Sequence, residues 1–169
     1  MKTCLRPALV LLVLLSLLTG GLYPALVSAV AGRLFPDEAA GSLILADGAL
    51  VGSRLIGQNF DDPRHFWGRP SATAPQPYNG AASSGSNLGP LNPVLAETLR
   101  ARVERLRAAD PENPAPVPAD LVQASGSGLD PHISPAAAAY QIGRIARLRQ
   151  VDRAELAQLV AAHTEGRQW

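Results

Sequence analysis

The sequence predicts an α+β protein in which one N-terminal transmembrane helix is followed by a single mixed α+β domain. Three observations carry that prediction. Pro7 to Gly32 contains no charged side chain, and two short apolar runs flank an Asp47-Gly48 pair. Farther on, three segments repeat apolar residues at helical spacing behind good N-caps.

The uncharged stretch is about 26 residues, enough for a helix to cross the roughly 30 Å apolar core of a bilayer. Its apolar density is greatest from Leu9 to Leu18, and the pattern resumes after Thr19-Gly20-Gly21 through Leu22, Ala25, Leu26, Val27 and Val30. Pro24 is expected to kink this helix without ending it. Lys2 and Arg6 precede the run and all 14 acidic residues follow it. Retention of basic groups on the cytoplasmic side then puts the N-terminus inside and the rest outside. Residues 1–32 read as cytoplasmic N-terminus and transmembrane helix, residues 33–169 as an extracytoplasmic, periplasmic domain. A cleaved secretory signal is the alternative, since the basic start, the block Ala8 to Leu18 and the Ala29-Val30-Ala31 end fit that pattern too. The length of the apolar stretch favours the anchor. Gly21 and Ala25, with Gly20, Ser28 and Ala29, are small enough to admit a neighbouring helix, although tolerance of lipid accounts for them equally well.

The 137 residues after Gly32 are one domain's worth and enough to bury a core. Cys4 is the only cysteine, which excludes an internal disulfide. Beyond Gly32 there are 13 arginines against 14 carboxylates, a balance that gives no support to nucleic-acid binding.

Residues 42–57 form the hairpin signal around Asp47-Gly48. Asn59 to Pro93 is rich in Pro, Gly, Ser and Asn yet carries Phe60, Phe66, Trp67 and Tyr78, so a long ordered loop packed on the domain is expected. Asn92 and Pro93 open a helix with Leu95, Leu99, Val103 and Leu106 as its apolar stripe. Asp110 to Pro116 is a stiff connection, followed by an apolar step from Val117 to Val122. Ser134-Pro135 opens the next helix, with Ile142, Ile145 and Leu148 directed inward and Arg144, Arg147 and Arg149 mostly outward. Asp152 caps a third helix with Glu155 in the capping-box position, and Leu156, Leu159 and Val160 form its buried stripe.

Gly126 to Ser134, rich in Gly and Ser, reads as a shaped surface loop, and such loops commonly bind something. Ser127, Asp130 and His132 invite a serine hydrolase reading, that of an anchored or secreted enzyme. The flanking residues do not supply the Gly-x-Ser-x-Gly elbow, and Asp130-Pro131 more simply starts a turn. His65, His132 and His163 are far apart and no second Cys joins them, so no metal site emerges. Gly85 to Gly89 lacks the Lys of a phosphate-cradling loop and precedes Pro90 rather than a helix.

Leu55-Ile56-Gly57-Gln58, Arg69-Pro70-Ser71-Ala72, Tyr78-Asn79, Ser84-Gly85-Ser86-Asn87-Leu88-Gly89-Pro90 and Gly128-Leu129-Asp130-Pro131-His132-Ile133-Ser134 resemble, in order along nearly the whole chain, segments of the C subunit of the bacterial Kdp potassium-transporting P-type ATPase. Tyr140-Gln141 and the Arg144 to Arg149 helix fit as well. The resemblance implies a non-catalytic accessory subunit in the inner membrane, joining a channel-like potassium-binding subunit and a P-type ATPase subunit, with lipid around its span. ATP would belong to the complex rather than bind stably to this chain. The family is also described as a catalytic chaperone that raises the ATPase subunit's affinity for ATP, through a Leu-x-Gly-Gln segment that falls on Leu55, Gly57 and Gln58, or less directly on Gln141. An outer domain cannot touch cytoplasmic ATP, so that effect is expected to be indirect, with Gln58 read first as a hydrogen-bonding residue at a strand end. Arg69, Tyr78, Asn79, Ser86, Asn87, Asp130 and His132 are the expected partner-facing surface.

Overall fold

The computed structural model describes residues 2–166, which fall into two compact units divided between Arg54 and Leu55. In the first unit, helix α1 (Lys2–Leu17) runs into helix α2 (Tyr23–Leu34) through a π turn at Leu18–Leu22. Pro24 explains the irregularity, because it donates no backbone hydrogen bond and its ring crowds the carbonyl four residues earlier. The wider turn, in which the Tyr23 amide donates to Leu18 O, relieves that crowding, and Gly20 and Gly21 place no side chain in it. Nearby, Thr19 Oγ1 donates to Leu15 O at 2.7 Å. Cys4–Leu34 is thus one continuous helix of 31 residues, whose most apolar 18-residue stretch has mean hydropathy 2.2 and is not buried within the protein. At about 1.5 Å per residue it is long and apolar enough to cross a membrane. Pro24 deforms the helix without ending it, as expected.

A short helix, α3 (Pro36–Ala39), leads into strands β1 (Leu43–Ala46) and β2 (Ala49–Ser53), an antiparallel pair. Asp47 and Gly48 both have positive φ, +51° and +78°, the conformation a tight I′ hairpin turn demands. Leu45 faces Leu50 and Ile44 faces Gly52, so a bulge interrupts the ladder between these pairs. Strand β2 ends at Ser53, with one last bond from the Arg54 amide to Ser42 O at 3.0 Å, earlier than the apolar pattern through Gly57 predicts. The Gly57 amide instead donates to Leu129 O at 2.8 Å, and Gln58 therefore lies in a loop, five residues beyond the strand end.

The second unit comprises helices α4 (Pro93–Ala109), α5 (Pro135–Arg149) and α6 (Arg153–Ala162), a 3₁₀ turn at Ala119–Leu121 and the long loops between them. Each helix starts where its cap predicts. Asn92 Oδ1 accepts from the Val94 amide at 3.0 Å, Ser134 Oγ from Ala137 at 3.0 Å, and Asp152 Oδ1 from Ala154 at 2.6 Å and Glu155 at 3.2 Å. One core cluster gathers Leu106, Leu121, Val122, Ala137 and Tyr140, with Trp67, Leu99 and Val103 against it. A second gathers Ile142, Ile145, Ala146 and Leu156, with Phe66 and Val160. Phe66 and Trp67 thus bring the long loop onto the helices, as expected.

Three side chains reverse their expected positions. Arg144 is 2 % exposed rather than outward, Leu148 is 42 % exposed rather than inward, and Leu159 is 54 % exposed rather than part of a buried stripe. The long loop lies against the Gln141 and Arg144 side of α5, and its main-chain groups need polar partners that leucine cannot supply. Helix α6 packs against α5 through Leu156 and Val160, a stripe too narrow to include Leu159.

Candidate functional site

Two loops, residues 57–92 and 123–134, interlock in the second unit. Ser71 Oγ is a junction: it donates to Gly128 O at 2.7 Å and accepts from the amides of Tyr78 at 2.9 Å and Thr73 at 3.3 Å. Thr73, itself buried, donates through Oγ1 to Gln76 O at 2.8 Å and accepts from the Asn79 amide at 3.0 Å. Asn79 Nδ2 closes the same turn on Ala74 O at 3.1 Å. Across the junction, the Ser84 amide and Ser83 Oγ both donate to Ser127 O, at 2.9 and 3.0 Å.

Tyr78 sits at the centre with positive φ, +55°. Its hydroxyl donates to Arg69 O at 2.5 Å, and its ring fills the space that side chains at Gly57 and Gly68 would occupy. A Cβ on Gly57 would stand 2.4 Å from Tyr78 Cε1, and one on Gly68 would stand 2.8 Å from the hydroxyl. Gly128 has φ +68° and admits no Cβ beside Ser84 O and Thr73, both at 2.6 Å. Only at Gly128, and at Gly85 beside Gly126 O at 2.9 Å, does the facing backbone itself leave no room for a side chain.

Arg69 Nη1 donates to Asp130 Oδ2 at 2.9 Å, and the other carboxylate oxygen of Asp130 accepts from the His132 amide at 3.0 Å. Burial of Asp130 opposes ionisation, but the His132 amide and the Arg69 guanidinium outweigh it, and its carboxyl stays below the ordinary carboxylate range. Burial, reinforced by the Asp130 charge, raises the Tyr78 phenol. Of the seven expected surface residues, Arg69, Tyr78, Asn79, Asp130 and His132 belong to the interlock or its edge. His132 projects outward with its side chain 82 % exposed. Ser86 and Asn87 follow the Ser84 contact in the chain and are exposed, Asn87 with φ +51°. Gly21 lies in the π turn and Ala25 in α2 of the first unit, and Gln58 is exposed near the start of the long loop.

The hydrolase constellation is not assembled. Ser127 Oγ accepts from the Leu129 amide at 3.1 Å, Asp130 is held by Arg69, and no hydrogen bond joins Ser127 to His132 among the described residues. Among those residues no group of three His, Cys, Asp or Glu side chains is placed to hold a metal ion.

The floor beneath the loops was not legible from local spacing. Gln141 is 1 % exposed. Its Oε1 accepts from the Trp67 amide at 2.8 Å and its Nε2 donates to Trp67 O at 3.1 Å and Ala137 O at 3.2 Å. The side-chain amide thus pairs with the loop as a strand would and has no group left for a nucleotide. Arg144 Nη2 donates to His65 O at 2.9 Å and Gln141 Oε1 at 2.8 Å. Arg144 and Arg105 stack on Trp67, their guanidinium carbons 4.2 and 4.8 Å from its ring, and burial lowers the Arg144 pKa. A buried arginine held by carbonyls and an indole looks, in sequence, like any outward helix cation.

One N-terminal helix long and apolar enough to span a membrane, followed by a mixed unit of helices, is a form compatible with a single-pass membrane protein. A family model described as "K+-transporting ATPase, c chain" (KdpC) matches residues 5–169. Among similar curated proteins, each named potassium-transporting ATPase KdpC subunit, that of Dechloromonas aromatica (strain RCB) is 61 % identical over 169 residues, covering 100 % of this chain and 88 % of its own length. That of Sorangium cellulosum (strain So ce56) is 65 % identical over 163 residues, 96 % of this chain and 86 % of its own. That of Variovorax paradoxus (strain S110) is 63 % identical over 169 residues, with 100 % and 88 % covered. The chain belongs to the KdpC family, accessory subunits of the potassium-transporting ATPase.

Proposed function

We propose that this chain assembles and stabilises a potassium-importing complex in the bacterial inner membrane, holding a channel-like potassium-binding subunit and a P-type ATPase subunit together without performing chemistry of its own. The helix Cys4–Leu34 serves as a single-pass anchor with the N-terminus cytoplasmic, and residues 33–169 lie on the periplasmic side. The observation that carries this reading is the interlock. Ser71, Thr73, Tyr78 and Asp130 spend their polar groups on fixing the two loops, leaving a rigid exposed rim of Asn87 and His132 suited to docking. Any rise in the ATP affinity of the ATPase subunit is then transmitted through the complex, because the rim and cytoplasmic ATP are on opposite sides of the membrane. On the same reading Gln58 is a surface polar residue rather than a nucleotide ligand. Gly21 and Ala25 would meet a partner helix in the span.

The test is recovery of the other two subunits with a C-terminally tagged full chain after mild solubilisation, together with potassium uptake under scarcity. Asn87→Ala combined with His132→Ala is expected to reduce both while leaving the chain folded. Unchanged recovery and uptake would sink the docking role of the rim.

A further inference from the structure

We infer that a small cavity between the long loop and helix α4 is an oxyanion-binding site, formed by Arg69, Arg102 and Arg105 and closed by Trp67. The cavity has a volume of about 110 Å³ and is lined on one side by Trp67, Arg69 and Ser71 and on the other by Arg102 and Arg105, three residues apart on α4. A single enclosed water needs about 10–15 Å³ on this kind of measure, so the space takes a group the size of a carboxylate, sulfate or phosphate.

The charges around it do not balance internally. Arg69 is paired with Asp130, and Arg105 with Asp61, which also lines the cavity. Arg102 has no carboxylate partner among the described residues. Its Nη1 donates to Val122 O at 2.7 Å, and among the described residues the guanidinium makes no other hydrogen bond. Burial lowers its pKa, and no neighbouring charge offsets that effect; Arg147, by contrast, is raised, chiefly by its hydrogen bond to Asp110. An arginine fork is shaped to hold an oxyanion through two bonds at once. A bound oxyanion would neutralise Arg102 and tie the long loop to α4. The source is either a free anion or an acidic side chain of a neighbouring subunit. The inference rests on the cavity and not on the assembly role.

Trp67, stacked on Arg105, supplies the readout. In a Trp169→Phe background of the full chain, in uncharged detergent and at constant ionic strength, sulfate is titrated against chloride while Trp67 fluorescence is followed. The expected result is a saturable change with sulfate and none with chloride, and apparent affinity reduced about tenfold or more by Arg102→Gln. Arg105→Gln, a change at an exposed position, should weaken it as well and guards against a fold defect in the first variant. Identical responses to sulfate and chloride, or a sulfate response unchanged in both folded variants, would overturn the site. The same titration on the purified complex separates the sources. Retained sulfate binding indicates a free anion, and a response lost on assembly indicates that a partner's carboxylate has taken the site.

Discussion

Tyr78 shows how a single side chain can dictate the composition of its surroundings. Because its ring lies against Gly57 and its hydroxyl against Gly68, neither glycine tolerates a methyl group. Gly57→Ala is expected to destabilise the second unit by about 1–3 kcal/mol, the usual cost of overpacking, whereas Gly89→Ala, with open space at its Cβ, should change little. Urea unfolding of both variants beside the parent chain measures the difference, and equal midpoints would refute the steric account. Positions of this kind divide into what sequence shows and what it hides. Asn92, Ser134 and Asp152 were legible as caps because a cap acts within three residues of itself. Arg144 was misread because its partners, His65 O and the Trp67 ring, lie more than 75 positions earlier in the chain. An arginine at a helical spacing gives no sign of whether its surroundings are water or an indole.

At the scale of elements, the loops rather than the helices set the shape of the rim, and one ion pair joins them end to end. Asp130 has a folded pKa below its ordinary value of 3.8. Its contribution is therefore fully present above that value and is lost as pH falls through the lower folded value. Amide exchange at Gly57 and Ser84, whose amides donate to Leu129 O and Ser127 O, should stay slow at pH 5 and accelerate only below about pH 4. Loss of protection between pH 5 and 7 would show that another group governs the junction. The ordered character of the long loop was legible from its four aromatics, and Phe66 and Trp67 do enter the two cores. The interlock itself was not, since Ser71 and Thr73 are common turn residues whose cross-loop bonds no local pattern announces. The hairpin was legible through Asp47-Gly48, but its end was not, because Leu129 O, 72 residues away, takes the Gly57 amide.

For the whole molecule, the division at Arg54 and Leu55 means that both core clusters lie within the second unit. Residues 55–169 expressed alone should therefore be soluble and helical and unfold cooperatively, with far-ultraviolet circular dichroism and a thermal midpoint as the readouts. A fragment lacking a cooperative transition would show that the first unit is needed for folding. Fold class and family were readable from the apolar stretch and the ordered motifs, since these are properties of the line of residues. The guanidinium cavity was not, because Arg69 and Arg102 meet only once the chain has turned back on itself.

The π turn at Leu18–Leu22 sets an angular phase for everything beyond it. One residue more than an α turn requires is wound into the helix there, so the bearing of each later side chain is displaced by about 100° from where an uninterrupted helix would carry it. A wheel drawn through all 31 residues therefore assigns Ala25, Ser28 and Ala29 to the wrong quadrant relative to Leu11 and Leu14. Contacts inferred for the upper and lower halves of this helix belong on two wheels, offset by roughly a quarter turn.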